Sequence, residues 1–406
     1  MRKIWLLTGI LGMCLMGTLP SYALPDNVQI RGYVQGLPLR LSAEIPDMGV
    51  PWIDPGKHDW WEYRMQQRLN VRWDISSTWT FNWEMRTRLF AGGLVRDIPG
   101  YAAAIDTDDG LVNLSWMMVE QDDWFLHYIP DRLFLEWMSG DWSVRLGRQR
   151  VNWGVTTLVN PNDVFNIYSL YDFDYPERPG SDAIRIQRYT GFASRIEVAV
   201  RPARDIKEMV AAALYAFNTR GYDIQFISGY YREQLIIGGG WAGHLGQLGF
   251  KGEGMVFTGS GSQQDIDSGS LSPPQNTLSQ NNIIAAVEID HMFSNGLFLI
   301  AGFLFNKEGG SQSFSLIGES LRPDNPSFSQ YQTTVMAQYA FNPLWDGALS
   351  AAWYPDENAV YLSPSITRSL ATDLDLNVFG QAFIAGSTSV FATAGNVIAA
   401  SLKYNF

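Results

Sequence analysis

In the stretch Glu62-Tyr-Arg-Met-Gln-Gln-Arg-Leu-Asn-Val-Arg-Trp-Asp74, polar or charged residues alternate with mostly apolar ones. One face would carry Glu62, Arg64, Gln66, Arg68, Asn70, Arg72 and Asp74, and the other Tyr63, Met65, Gln67, Leu69, Val71 and Trp73. A helix would place Arg64 and Arg68 beside Leu69 and Val71. The period of two therefore predicts a β-strand rather than a helix.

The same alternation resumes after Ser76-Ser77. Trp79, Phe81, Trp83, Met85 and Leu89 share one face, and Thr80, Asn82, Glu84, Arg86 and Arg88 share the other. Two alternating strands joined by a tight turn predict a hairpin. If this hairpin belongs to a membrane-spanning barrel, its charged face is expected to line a water-filled lumen. The reason is that a charge facing lipid near the bilayer midplane costs roughly 2–4 kcal/mol.

The last strand, Asn396-Val-Ile-Ala-Ala-Ser-Leu-Lys-Tyr-Asn-Phe406, also has a period of two. Phe406, Tyr404, Leu402, Ala400 and Ile398 share its apolar face. Such a strand, ending in Phe, resembles the assembly signal of bacterial outer-membrane β-barrels. The resemblance implies that Tyr404 and Phe406 serve assembly. It also implies as partners the barrel assembly machinery, outer-membrane lipid and lipopolysaccharide.

The first residues are typical of a secretory signal peptide. Arg2 and Lys3 precede the apolar stretch 4–19, and Ser21-Tyr-Ala23 is a small-x-small site. We therefore expect residues 1–23 to be removed and residues 24–406 to form an integral protein of the Gram-negative outer membrane. Cleavage would remove Cys14, the single cysteine, and with it any thiol chemistry.

Charge and composition exclude several classes of protein. Loss of Arg2 and Lys3 leaves 27 basic residues against 41 acidic ones, a net charge of −14, which argues against nucleic acid as a partner. No later apolar run has the length of a spanning helix. The 15 Trp, 18 Tyr and 22 Phe suit the aromatic girdles of a barrel. An aromatic-rich soluble β-sandwich is the alternative.

Alternation and turn signals predict an all-β fold, a transmembrane antiparallel β-barrel of about 18 strands. The strands are expected near 27–41, 59–75, 78–92, 131–139, 142–149, 183–190, 192–201, 207–217, 222–231, 234–242, 245–258, 281–293, 296–306, 329–341, 345–354, 358–368, 371–386 and 392–406. With both chain ends periplasmic, short turns lie on that side. The long segments 42–58, 93–130, 150–182, 259–280 and 307–328 then lie outside. Segment 111–119 could be a strand or part of a folded loop.

One region breaks the alternation. It contains Gly147-Arg-Gln149, Trp153-Gly154, Asn160-Pro-Asn-Asp163 and Arg178-Pro-Gly180. This Gly-Arg-Gln-x-x-x-Trp-Gly pattern resembles a largely uncharacterised family of porin-like outer-membrane proteins, and the similarity covers about a tenth of the chain. The resemblance implies a barrel that acts as a channel, without naming a solute. A loop of this length and aromatic content is expected to fold inward, so segment 150–182 is predicted to constrict or plug the lumen.

The charges suggest how such a channel would select. We expect Arg64, Arg68, Arg72, Arg86, Arg88, Arg145 and Arg185 to face the lumen, and Asp163, Asp172, Asp174, Glu177 and Asp182 to oppose them from the loop. Arg148, Gln149, Trp153 and Arg178 are expected to anchor the loop. General porins are similar in setting a basic wall against an acidic loop, and the resulting field would act on small hydrophilic solutes. Alternatively, the arginines pair with Glu62, Asp74, Glu84 and the loop acids to hold the loop.

Other functions stay open. The barrel could be plugged and bind surface polysaccharide or a protein partner, with Trp52, Trp60 and Trp61 available for stacking or for the upper girdle. An enzyme is not expected, because His58, His127, His244 and His291 have no metal-ligand spacing and only His291 has a serine, Ser294, close by in a turn. Asp106-Thr-Asp-Asp-Gly110 lacks the closing Glu of a calcium loop. No cofactor is predicted, and a homo-oligomer is possible.

Overall fold

The computed structural model describes residues 25–45, 55–166, 171, 177, 180–259, 281–310 and 321–406. Within these residues the chain forms nineteen strands, two short α-helices and one 3-10 turn. The predicted signal peptide 1–23 and the residues Trp52, Asp172, Asp174 and Arg178 lie outside the described part. No helix among the described residues is long and apolar enough to cross a membrane.

The strands follow the alternating segments of the sequence. Their bounds are β1 Val28–Ile45, β2 Gly56–Asp74, β3 Trp79–Gly92, β4 Trp116–Glu120, β5 Trp124–Ser139, β6 Trp142–Gln149, β7 Ser181–Gly191, β8 Ser194–Arg201, β9 Val210–Thr219, β10 Tyr222–Tyr231, β11 Gln234–Leu245, β12 Leu248–Thr258, β13 Asn281–Met292, β14 Leu297–Asn306, β15 Tyr331–Asn342, β16 Trp345–Tyr354, β17 Ala359–Ala371, β18 Leu374–Ala385 and β19 Asn396–Asn405. The helices are α1 Gly93–Asp97 and α2 Tyr101–Ile105, and the 3-10 turn is Ile206–Glu208.

Eighteen of these strands close into one antiparallel barrel. Each pairs with the next along the chain, β3 pairs directly with β5, and β1 closes the ring against β19 with Tyr33 opposite Asn405. Closure leaves no open sheet edge in the ring, as a spanning barrel requires. The predicted fold class and strand number are confirmed.

Segment 111–119 contains both a loop and a strand: residues 111–115 are loop, and the short strand β4 begins at Trp116. Residues 116–120 pair with Phe125 to Tyr128 of β5, and β6 pairs with β5 only from Leu133 onward. Strand β5 begins seven residues earlier than predicted. The reason is a bulge in its pairing with β3: Glu84 lies opposite Arg132 and Met85 opposite Pro130, so Asp131 has no partner across the ladder. A bulge inverts the alternation, which hid the first half of the strand.

The two faces of the barrel differ as predicted. Large apolar side chains are exposed on the outer face, among them Tyr63, Trp73, Leu146, Ile184, Ile186, Val198, Phe226, Ile237, Val287, Phe303, Trp353, Ile398, Leu402 and Tyr404. Their strand neighbours, such as Glu62, Arg68, Glu197, Gln225 and Glu288, are buried and face inward. An apolar exterior around a polar interior is the pattern of a lipid-embedded barrel.

The connections divide by length between the two ends of the barrel. Tight turns such as 140–141, 220–221, 246–247 and 372–373 lie at the end that holds both chain termini. The strand ends that precede the long connections, those of β1, β3, β6, β12 and β14, lie at the other end, as expected. Two tight turns, 232–233 and 355–358, also lie at that end.

Apolar side chains form three buried clusters on the inner wall. One joins Trp153, Val164 and Phe165 to the wall of β7–β14. The second joins α1 and α2 to β1, β2, β3, β5 and β19 through Leu94, Tyr101 and Phe90. The third surrounds Phe391 near β16–β18. Segments that follow β3 and β6 therefore pack against the inside of the barrel.

Candidate solute pathway

Three glutamates on the inner wall accept hydrogen bonds from residues 153–158. Trp153 donates its indole N–H to Glu197 Oε1 at 2.5 Å, and the amide of Val155 donates to Glu253 Oε2 at 2.8 Å. The amides of Thr157 and Leu158 both donate to Glu288 Oε2, at 2.8 and 3.1 Å. Because these carboxylates lie on β8, β12 and β13, the segment follows the wall across several strands.

Amide side chains and ring packing reinforce this attachment. Gln225 donates to the Trp153 carbonyl, and Asn162 donates to the Gly239 carbonyl at 2.9 Å. Trp153 packs edge-on against Phe165 with ring centroids 5.1 Å apart. Trp153 is thus a buried contact residue of the wall.

The described residues further along the segment contact the opposite part of the ring. Tyr171 shares a hydroxyl hydrogen bond with Tyr354, and its carbonyl accepts from Gln381 at 3.1 Å. Glu177 accepts from the Tyr33 hydroxyl at 3.2 Å and lies 3.7 Å from Arg68. The contacts of this segment therefore extend from β8–β13, through β16–β18, to β1–β2.

The Gly-Arg-Gln pattern has a local structural explanation. Gly147 has φ of +117°, and a Cβ there would collide with the Leu133 carbonyl. Arg148 is buried, with Asp108 and Asp182 each 2.8 Å away. Gln149 donates to the Ala183 carbonyl at 3.0 Å. These contacts brace the wall where β6 ends and β7 begins.

Arg68 lies at the centre of a buried charge cluster. It hydrogen-bonds Asp131, reaches Glu84 at 2.6 Å, and has a side chain that is only 2% exposed. Arg86 lies 3.4 Å from the same Asp131 carboxylate. Of the loop acids, Glu177 approaches this cluster, so the structure brings together Arg68, Arg86 and Glu177 from the predicted set.

The other predicted arginines contact acids or rings of the wall. Arg64 pairs with Glu62, Arg72 with Asp74 at 3.0 Å, Arg145 with Glu136 at 2.7 Å and Arg185 with Glu197 at 2.6 Å, whereas Arg88 approaches His127 Nδ1 at 3.1 Å. Together with the Arg68–Glu84 pair, the contacts with Glu62 and Asp74 are those named in the alternative interpretation. Arg72 is the most open of the set, with 53% of its side chain exposed. Asp182 faces Arg148, and Asp163 is buried beside the Asn160 carbonyl.

Sequence reasoning missed the wall acids Asp131, Glu136, Glu197, Glu253 and Glu288. Glu136, Glu197 and Glu288 lie between apolar neighbours, so strand parity could have placed them inward, whereas Glu253 lies between two glycines. Asp131 could not be found in this way, because the bulge changes its parity. The loop partners of Glu253 and Glu288 include backbone amides, which have no signature in the sequence.

A second segment, residues 106–115, contacts strands β6 and β8. Asp108 accepts from Arg148 and Asp109 lies 2.9 Å from Arg201. Burial alone would raise the pKa of Asp108, but hydrogen bonds from Arg148 and from the amides of Leu114 and Gly110 hold it below its ordinary value. The Asp106–Gly110 turn thus pairs with two arginines of the wall, Arg148 and Arg201.

The segment also carries a Ser–His pair that could be mistaken for a nucleophile and its base. Ser115 Oγ lies 2.7 Å from His127 Nε2 and 2.5 Å from Asp106 Oδ1. Arg88 can only donate, so His127 Nδ1 accepts and Nε2 carries the proton. A protonated Nε2 cannot take a proton from Ser115. The contact therefore works as a structural relay from Arg88 to Asp106.

Comparison with known proteins supports the fold. No family model matches the sequence, and no curated protein matches it. OccAB4 of Acinetobacter baumannii is 9% identical with a TM-score of 0.52, covering 94% of this chain and 99% of that chain. OccD3 (OpdP) of Pseudomonas aeruginosa is 7% identical with a TM-score of 0.53, covering 95% and 92%. OccAB3 of Acinetobacter baumannii is 12% identical with a TM-score of 0.52, covering 93% and 99%. At these identities the likeness is one of fold, and the chain is a large closed antiparallel β-barrel whose ring has 18 strands.

Proposed function

We propose that the protein is a porin, an outer-membrane channel through which small hydrophilic solutes diffuse passively, and that it is not an enzyme. One observation carries the proposal: a closed barrel of 18 strands has an apolar exterior and an interior lined with charged and amide side chains. In this arrangement the backbone N–H and C=O groups are hydrogen-bonded within the barrel, and the interior offers a polar route across the membrane. Lipopolysaccharide and the barrel assembly machinery are its proposed partners, and Tyr404 and Phe406 its proposed assembly signal.

In this proposal segment 150–182 forms the constriction. Its support is the set of hydrogen bonds that attaches residues 153–158 to Glu197, Glu253 and Glu288, and the contacts of Tyr171 and Glu177 on the other side of the ring. A segment held at both sides of a lumen would narrow it. Arg148, Gln149, Trp153 and Arg178 would anchor it.

Selectivity would come from charge across the narrowed lumen. The basic strands β2 and β3 lie nine positions around the ring of eighteen from β12 and β13, which carry Glu253 and Glu288. Arg64, Arg68, Arg72, Arg86, Arg88, Arg145 and Arg185 would form the basic side, and the loop acids Asp163, Asp172, Asp174, Glu177 and Asp182 the acidic one. Opposed charges in a narrow aperture create a transverse field that favours polar over apolar solutes.

The test is single-channel recording of the purified mature protein in a planar bilayer under a salt gradient. We expect discrete current steps with a finite reversal potential. Replacing Arg64, Arg68 and Arg72 together with neutral residues should move the reversal potential toward cation selectivity. An unchanged potential would remove the role of the arginines, and the absence of current from a folded barrel would overturn the channel itself.

The second candidate is a plugged barrel that binds surface polysaccharide or a protein partner. It is favoured by one observation: two segments, 93–115 and 151–166, rather than one, pack against the inner wall. A folded barrel without conductance would support this candidate. Light scattering of the same preparation would show whether the protein forms a homo-oligomer.

A further inference from the structure

A single row of inward-facing residues crosses six neighbouring strands just beyond the segment held by the wall glutamates. From β7 to β12 its members are Tyr189, Arg195, Ala216, Gln225, Gly240 and Glu253. Two positions in this row have almost no side chain. Each leaves a hollow in the wall between larger neighbours.

The two hollows differ in what fills them. At Gly240, Val155 of the inward segment lies against the position that a Cβ would occupy, with Cγ2 at 3.2 Å. At Ala216 the hollow stays open and forms a cavity of about 250 Å³, bordered by Val155, Tyr189, Arg195, Asp223 and Gln225. The cavity lies between the inward segment and the end of the barrel that carries the short turns.

The chemistry of the lining is balanced between donors and acceptors. Arg195 offers a guanidinium on a side chain that is 34% exposed, and its Nε lies 3.6 Å from Glu197 Oε2. Asp223 offers a carboxylate that accepts from Asn218 at 2.9 Å, and Gln225 offers an amide. Tyr189 adds an aromatic ring, 45% exposed.

We propose that this cavity is a binding subsite for a neutral polyhydroxylated solute the size of one monosaccharide. Hydroxyl groups both donate and accept, so a sugar can satisfy Arg195 and Asp223 together, whereas an anion would meet Asp223 and a cation would meet Arg195. The apolar face of a sugar ring can pack on Tyr189. The volume accommodates one such ring. The subsite deepens the proposed channel function, since it would lie on the solute pathway.

The test measures glucose binding in two independent ways with the full mature protein. The first is the dependence of single-channel current on glucose concentration, and the second is saturation-transfer NMR of glucose with the detergent-solubilised barrel. Ala216→Leu fills the hollow. Ala213→Leu, on the same strand but exposed on the outer face, is the matched control.

Glucose should reduce the current in a saturable manner. In Ala216→Leu the half-saturating concentration should rise about tenfold, as expected when one or two hydrogen bonds are lost, whereas Ala213→Leu should behave as the native protein. Arg195→Gln and Asp223→Asn should weaken binding in the same direction.

The outcomes separate the subsite from the channel. A current that glucose reduces only in proportion to viscosity, with equal NMR signals in all variants, would overturn the subsite and leave the channel standing. An NMR signal that Ala216→Leu removes in a barrel without current would support the subsite and overturn the channel. Stronger block by glycine than by glucose would overturn the assignment to a neutral polyol.

Discussion

Individual charges in the lumen contribute unequally to the stability of the folded barrel, because they differ in burial. The side chains of Arg68 and Asp131 are almost completely buried and are hydrogen-bonded to each other. Breaking a buried pair by removing one partner leaves an unpaired charge and costs about 3–5 kcal/mol. Arg72, by contrast, is half-exposed, and an exposed pair is worth at most about 1 kcal/mol.

Replacing Arg68 with Gln should therefore destabilise the folded barrel, whereas Arg72→Gln should not. The measurement is the temperature at which the folded band converts to the unfolded band in an unboiled electrophoresis gel. The conversion should move to clearly lower temperature in Arg68→Gln. Equal conversion temperatures for both variants would show that the Arg68 cluster is not stabilising.

A glycine in the Gly-Arg-Gln pattern is required by the backbone. Gly147→Ala would introduce a side chain at positive φ and against the Leu133 carbonyl, so the yield of folded barrel should fall severely. Gly36→Ala is the control, because nothing lies within 4 Å of the added Cβ. The fraction of refolded protein in detergent, read from the gel shift, distinguishes the two. A normal yield of Gly147→Ala would contradict this account.

At the level of elements, the attachment of residues 153–158 depends on wall carboxylates. Removing Glu253 and Glu288 leaves the amides of Val155, Thr157 and Leu158 without their acceptors. The double replacement Glu253→Ala with Glu288→Ala should release the segment and increase both single-channel conductance and current noise. Asp290→Ala is the matched control, since Asp290 on the same strand pairs with Lys251 at 3.3 Å. A conductance equal to the native value would contradict the role of the glutamates.

The second inward segment should respond to acid. The pKa of Asp108 is lowered in the folded protein, so its stabilising contribution is complete above the ordinary value of 3.8 and is lost as pH falls through the lowered value. Protease cleavage within residues 106–115 should therefore be slow at pH 7 and faster well below pH 3.8. Asp108→Asn should be cleaved faster already at pH 7. Equal cleavage of the native protein at both pH values would contradict the prediction.

For the whole molecule, closure of the ring depends on the last strand. Phe406 and Gly32 exchange two backbone hydrogen bonds of 2.9 Å, and the Phe406 ring covers the position that a Gly32 Cβ would occupy. Phe406→Ala should reduce the amount of folded protein in the outer membrane, measured by the gel shift of membrane fractions. Wild-type amounts would show that this contact does not assist assembly.

The alternation of residues was sufficient to predict the barrel, its strand number, its two faces and the position of most long connections. This is because a period of two specifies which residues meet lipid, and lipid tolerates few charges. The bulge at Asp131 escaped prediction, because a local irregularity carries no period.

The arrangement inside the lumen depended on contacts between distant parts of the chain. Glu253 meets Val155 across 98 residues, and Tyr171 meets Tyr354 across 183. The polarity of a side chain predicts that it faces the lumen, but not which backbone amide it will accept from. The cavity at Ala216 is a further case, because it exists only where three strands in register place a small residue between Arg195 and Gln225.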